Sequence, residues 1–191
     1  NGPIAVLGNL SRGANALQVY ANGTGTILLG GANNQVNSWT INGANAVLNL
    51  AAGTVTTFNG GGGNNLMANQ DAVINGPGAM VLSTGGGENY SDNSVANGKT
   101  LTINARLTGA TGFEYWNDTR FGTVALYGQN DFTLNVIMNA AGTIAVTNVG
   151  NQASTTSNLG AGTRVIFNST YGGASCVKYL GLGEESDRIL E

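Results

Sequence analysis

The chain contains no histidine. That absence removes His-based triads, imidazole acid–base work and His-ligated metal sites. It holds a single cysteine, Cys176, so no disulfide can form within it. Alternation along residues 174–179 places the Cys176 thiol outward with Lys178, opposite Val177 and Tyr179. The expectation is an exposed small residue with no redox role. Charged residues make up only 9% of the chain, against a globular norm of roughly 25%. Long solvent-facing helices, which carry many Lys and Glu, are therefore disfavoured. The Lys and Arg residues number seven and stand singly, so no basic cluster could displace counterions from phosphate, which excludes nucleic acid as a partner. Apolar runs end after about six residues, far short of the ~20 that span a bilayer. No glycine cluster ends in Gly-Lys-Ser/Thr, so there is no phosphate loop. No initiating Met or signal peptide is present, which predicts a processed or excised piece.

What the chain does have is 41% hydrophobic residues and 31 glycines, with Asn, Thr and Ala filling most other positions. That much Val, Ile and Leu at low charge argues against disorder. No segment holds a sustained 3.6-residue apolar stripe. Short alternating runs recur instead, among them residues 26–29, 46–50, 55–58, 101–103, 123–126 and 143–146. A Gly-Thr-aliphatic token repeats as Gly122-Thr123-Val124-Ala125-Leu126 and Gly142-Thr143-Ile144-Ala145-Val146, and again, shifted, as Gly162-Thr163-Arg164-Val165-Ile166. Looser copies begin at Gly25 and Gly53. The shift in the third copy predicts that Val165 and Phe167 face inward there.

A short strand with one apolar face cannot bury that face alone. If the chain coils so that each turn lies on the last, backbone groups pair along the axis and the apolar faces line a dry interior. The expectation is an all-β, right-handed parallel β-helix (a solenoid) of about nine rungs of roughly 20 residues. Residues 1–97 read as irregular rungs with Gly/Asn-rich loops and residues 98–191 as regular repeats, the two forming one continuous solenoid. The Asn-Gly pairs at Asn22, Asn42, Asn59, Asn75 and Asn97 mark corners that need φ > 0. Asparagines stacked on successive rungs can exchange side-chain hydrogen bonds as ladders. Residues 59–70 and 84–97, poor in strand signal, read as loops bulging from the rod. A sandwich of short antiparallel strands is the alternative, since Asn-Gly also favours hairpins; it does not explain the even spacing of the Gly-Thr tokens.

From about Asn97 the chain resembles the passenger domains of bacterial autotransporters, specifically their autotransporter-associated β-strand repeats. The resemblance rests on Gly98-Lys99-Thr100-Leu101-Thr102-Ile103-Asn104, on Leu107-Thr108-Gly109, on residues 122–133 and 136–146, on Asn158-Leu159-Gly160-Ala161-Gly162-Thr163, and on residues 179–189. It covers about half the chain. It implies a β-helical stalk, secreted or displayed on the bacterial outer cell surface. The family's membrane barrel has no counterpart here. Residues 187–191 read as another strand, which predicts more protein after Glu191.

Three aromatics, Tyr90, Tyr115 and Trp116, lie in segments that read as turns and are the candidate ligand-binding residues, since exposed rings stack on sugars or anchor protein partners. Trp39 sits in a strand and reads as core. Glu114, Asp118 and Arg120, and separately Glu184, Glu185, Asp187 and Arg188, could each meet at one turn; they read as solvated charges. Residues 60–66 faintly resemble a calcium-binding turn, yet occur once and carry Asn65 where a hard cation prefers Asp. A plain glycine loop is the expectation, with no metal and no cofactor. The functional expectation is a non-enzymatic structural or adhesive module presenting loops to glycans or extracellular proteins. A self-assembling fibre subunit, associating through the β-helix ends, is the alternative. A polysaccharide lyase or glycosidase ranks behind both, because it rests on fold analogy alone.

Overall fold

The computed structural model describes residues 4–6, 9–11, 18–58, 65–83, 90–116, 119–168 and 172–191. Among these all regular structure is strand, in segments of two to six residues. Sheet 1 stacks Ile4–Val6 (β1), Thr26–Leu29 (β3), Ala46–Leu50 (β6), Ala72–Asn75 (β9), Thr100–Ile103 (β12), Thr123–Leu126 (β15), Gly142–Val146 (β17) and Ser175–Tyr179 (β19). Sheet 2 stacks Gln18–Ala21 (β2), Ser38–Ile41 (β5), Leu66–Ala68 (β8), Tyr90–Val95 (β11), Gly112–Tyr115 (β14), Val136–Met138 (β16), Arg164–Phe167 (β18) and Ile189–Leu190 (β20). The shorter sheet 3 holds Asn33–Val36 (β4), Val55–Phe58 (β7), Ala79–Leu82 (β10) and Arg106–Thr108 (β13). The chain visits the sheets in turn, and every strand pairing is parallel. This is a parallel β-helix, as the sequence predicts.

Each strand alternates, and the inward set forms columns along the axis. On sheet 1, Ile27, Leu48, Ile74, Ile103, Leu126 and Val146 stand over one another. On sheet 2 the column runs Trp39, Leu66, Asn93, Tyr115, Met138, Phe167. On sheet 3 it runs Val36, Phe58, Leu82. All of these but the buried Asn93 belong to one continuous hydrophobic core, in which Trp39 is 1% exposed, as expected of it. A fully buried Val, Leu, Ile or Phe contributes roughly 1.5–3 kcal/mol, so it takes many rungs together to offset the entropy of ordering the chain.

The rungs are fewer and longer than the expected nine of about 20 residues. Sheets 1 and 2 have eight strands each. Stacked side chains lie 20 residues apart at Asn22 and Asn42, 29 apart at Asn75 and Asn104, and 36 apart at Asn148 and Glu184. The Gly-Thr tokens explain the error. The copies at Gly122 and Gly142 do stack, Thr123 on Thr143. The third copy falls on sheet 2, where Val165 pairs with Val136, and the strand that follows β17 in sheet 1 is β19. Similar local sequence therefore serves two faces. Val165 is buried and Phe167 packs partly buried against the core, in the inward orientation the shift implied.

Two segments expected to be loops contain strands. Leu66–Ala68 and Tyr90–Val95 both run in sheet 2, while 59–64 and 84–89 lie outside the described residues. β11 escaped notice because Ser91, Asp92, Asn93 and Ser94 are all polar, yet all are buried. Parallel pairing with β8 and β14, rather than apolar periodicity, defines this strand.

Asparagine ladders fix two corners. Asn69 donates its side-chain amide to Asn42 (2.5 Å), and Asn42 donates to Asn22 (2.7 Å). Asn104 donates to Asn75 (2.7 Å), which donates to Asn49 (3.3 Å). Beyond Thr108 the third face continues, among the described residues, without a named strand, closed instead by buried side chains. Asn130 Oδ1 accepts the Leu107 N–H at 2.8 Å, and its Nδ2 donates to Asn158 O at 2.7 Å. Asn158 Nδ2 donates in turn to Gly128 O at 2.9 Å. Phe132 and Leu159 fill the interior at this level, and the Phe132 ring lies 6.4 Å from that of Phe113.

Candidate functional site on the outer face of sheet 2

Strands β11 and β14 are neighbours in register: Tyr90 on Gly112, Asp92 on Glu114, Asn93 on Tyr115. Alternation sends Ser91, Asn93, Phe113 and Tyr115 inward, and turns Tyr90, Asp92, Ser94 and Glu114 to the outer face. Adjacent strands lie about 4.8 Å apart, so the two carboxylates stand side by side on consecutive rungs. Asp92 is 7% and Glu114 8% exposed, so both are nearly closed to solvent. Asn139, from the next rung, donates its side-chain amide to Glu114 Oε1. Tyr90 and Trp116 flank this column and are half-buried. Gly112 lets the Tyr90 ring lie against the sheet, because a Cβ there would collide with the ring. Trp116 is anchored by its backbone N–H, which donates to Asn93 O at 3.0 Å. The two acids are held within the protein, so it is the half-buried rings at their edge that could cover the apolar face of a ligand.

Tyr115 is not part of that surface, which corrects the expectation. Its segment reads as a turn because Glu114, Trp116 and Asn117 surround it, yet β14 carries it into the core, fully buried. Its hydroxyl donates among the carbonyls of Val95 (3.3 Å), Arg120 (3.3 Å) and Gly122 (3.1 Å). Burial pushes its pKa up to about 12, against the counter-effects of the Val95 and Gly122 backbone contacts and of nearby Arg120.

The expected charge clusters also take particular forms. Glu114 turns to Asn139, whereas the Arg120 guanidinium reaches Ala68 O at 3.4 Å; Asp118 lies outside the described residues. At the other cluster, the carboxylate of Glu184 accepts from Asn148 Nδ2 (2.7 Å) and from the Val149 N–H, and Asp187 accepts from the Gln152 N–H (2.8 Å). Arg188 is drawn inward to 6% exposure, where it donates to Gly162 O, Gly160 O and Ser157 Oγ. Desolvation lowers its pKa, with Asp187 and Glu184 opposing. Glu184 and Asp187 thus brace the excursion over residues 147–162. Of the faint calcium-like turn, 60–64 lie outside the described residues, and Asn65 is buried with its amide donated to Ser91 Oγ at 3.0 Å. Among the described residues, no group of three or more His, Cys, Asp or Glu is placed to hold a metal, and no helix is long and apolar enough to cross a membrane. Cys176 is exposed.

Asp92 and Asn139 were missed by sequence reasoning. Rung arithmetic could have found Asp92, since a step back from Phe113 and Tyr115 lands on Ser91 and Asn93. Nothing local marks Asn139.

A coil of parallel strands stacked around one core defines the class: the chain is a β-solenoid repeat protein. Comparisons with protein-family models, with curated proteins and with solved structures find no match to it.

Proposed function

We propose that the chain is a module of a secreted or outer-surface bacterial protein of the autotransporter passenger kind, a non-enzymatic rod that presents its outer faces to glycans or extracellular proteins. The observation that supports this reading is the parallel coil itself, in which two sheets each stack eight strands rung upon rung. The half-buried Tyr90 and Trp116, beside the Asp92–Glu114 column, form the surface we assign to the ligand. A glycan array and a panel of matrix proteins test it. Tyr90→Ala and Trp116→Ala should each weaken binding by about tenfold, roughly 1.4 kcal/mol at a well-packed aromatic contact. Tyr115→Phe should leave binding intact. Binding indifferent to both alanine variants removes those residues from the site.

A further inference from the structure

The corner-marking Asn-Gly pairs differ in chemistry as well as in shape. An asparagine followed by glycine can lose its side-chain amide by an internal reaction. The glycine nitrogen bonds to Asn Cγ, the Cγ–Nδ2 bond breaks, and ammonia departs with the proton the glycine nitrogen gave up. Water then opens the five-membered imide at either carbonyl, leaving aspartate or its iso-linked form. The step needs a glycine nitrogen free to move, no side chain hindering it, and an amide nitrogen free to leave.

Within the ladders those conditions fail. Asn42 Nδ2 donates to Asn22, its Oδ1 accepts from Asn69, and the Gly43 N–H is held by Ala21 O at 2.9 Å. Gly43 is buried against the rung above, where a Cβ would collide with the Gly23 carbonyl. Asn75 is likewise gripped at both ends, donating to Asn49 and accepting from Asn104. Among the described residues nothing holds the Asn22 amide nitrogen, yet the Gly23 backbone lies directly against Gly43.

Asn97 meets every condition. Among the described residues it belongs to no ladder, because Ala96 takes the corner over Asn69: Val95 pairs with Ala68, and the Ala96 N–H donates to Ala68 O, which leaves Asn97 one position further on. Asn97 and Gly98 are exposed at the tip of a turn closed by the Lys99 N–H on Ala96 O (3.0 Å). Gly98 has φ +67° and nothing within 4 Å of where a Cβ would be. Among the described residues no group holds Asn97 Nδ2 or the Gly98 N–H. Asn97 Oδ1 accepts the Phe121 N–H at 2.6 Å, a fixed donor on the oxygen where negative charge gathers as the ring closes.

We propose that Asn97 is a site of spontaneous deamidation, the fastest of the four described Asn-Gly pairs. Conversion makes the chain one unit more negative, beside Lys99. Simple aspartate keeps, and strengthens, the contact to the Phe121 N–H. The iso-linked product lengthens the turn backbone and pulls that contact apart.

Incubation of the folded protein at mildly alkaline pH in heavy-oxygen water, followed by peptide mass spectrometry, tests this. Heavy oxygen entering at residue 97 reports imide opening directly. Asn97 should convert severalfold faster than Asn22 and faster still than Asn42 and Asn75, and the ranking should collapse when the same chain is unfolded in denaturant. No conversion at Asn97, a rate at Asn22, Asn42 or Asn75 equal to it, or a ranking unchanged by unfolding overturns the proposal. Asn59-Gly60 lies outside the described residues and serves only as an internal marker in the unfolded sample.

Discussion

The stretch from Asn33 to Thr108 and the stretch after it close the same coil by different means. In the first, β4, β7, β10 and β13 form a third sheet, so backbone pairs with backbone on all three faces. In the second, Asn130, Ser157 and Asn158 stand where strands would be, and their side chains capture the N–H and C=O groups the sheet leaves over. A single antiparallel bridge, Asn130 with Ser157, marks this face. The difference teaches that a coil needs its backbone groups satisfied, not a strand on every side. Asparagine suits the second solution because one side chain offers both a donor and an acceptor with the geometry of a peptide. The same device appears at the other end of sheet 3, where Asn34 Oδ1 accepts the Leu10 N–H at 2.9 Å and Asn33 N–H is received by Asn9 Oδ1.

The sharpest way to separate core from coil end is to compare two truncations. Phe58→Ala, inside the three-sheet stretch, should cost about 3–5 kcal/mol, whereas Leu190→Ala at the exposed end should stay within about 0.5 kcal/mol; denaturant titration of both variants checks this. Next in size is the contrast between the two closures. Asn130→Ala orphans a buried N–H and a buried carbonyl, at about 1–3 kcal/mol for each. Asn42→Ala, in a half-buried ladder that water can reach, should cost about 1 kcal/mol. Equal losses would mean that buried asparagines on the third face do no more than corner ladders.

Tyr115→Phe removes one hydroxyl shared among three carbonyls and should cost about 1 kcal/mol. Its pH dependence is more telling. The folded-state pKa of about 12 lies above the ordinary 10.0. The phenol's contribution is therefore complete below the unfolded value and is lost as pH rises through the folded one. The phenylalanine variant should show a correspondingly flatter alkaline limb in thermal melts.

A smaller effect than that of Tyr115 belongs to Asp131, whose carboxyl the Arg106 guanidinium holds below the usual carboxylate range. That contribution is present above the unfolded carboxylate value and disappears as pH falls through the folded one. Arg106 is about half exposed, so Asp131→Asn should cost less than about 1 kcal/mol, read as a slightly shallower acid limb.

Much of the fold could be read from residues. Alternation at residues 26–29, 46–50, 101–103 and 143–146 named strands that exist, the last two each one residue longer at the start, and Trp39 was assigned to the core it occupies. The polar strand β11 was not legible, because its burial comes from neighbours on other rungs rather than from its own side chains. Tyr115 was misread for the same reason: flanking charge and amide groups resemble a turn until β11 and β16 fix β14 between them.

What the sequence alone determined is the kind of element and the kind of coil, because side-chain alternation and glycine or asparagine corners are local properties of a few consecutive residues. Which strand lies on which was decided only by the tertiary structure. Rung lengths vary, so the partner of any residue depends on how much chain the intervening corners absorb, and that assignment put Asp92 against Glu114, sent Tyr115 inward, and left Asn97 outside the ladders.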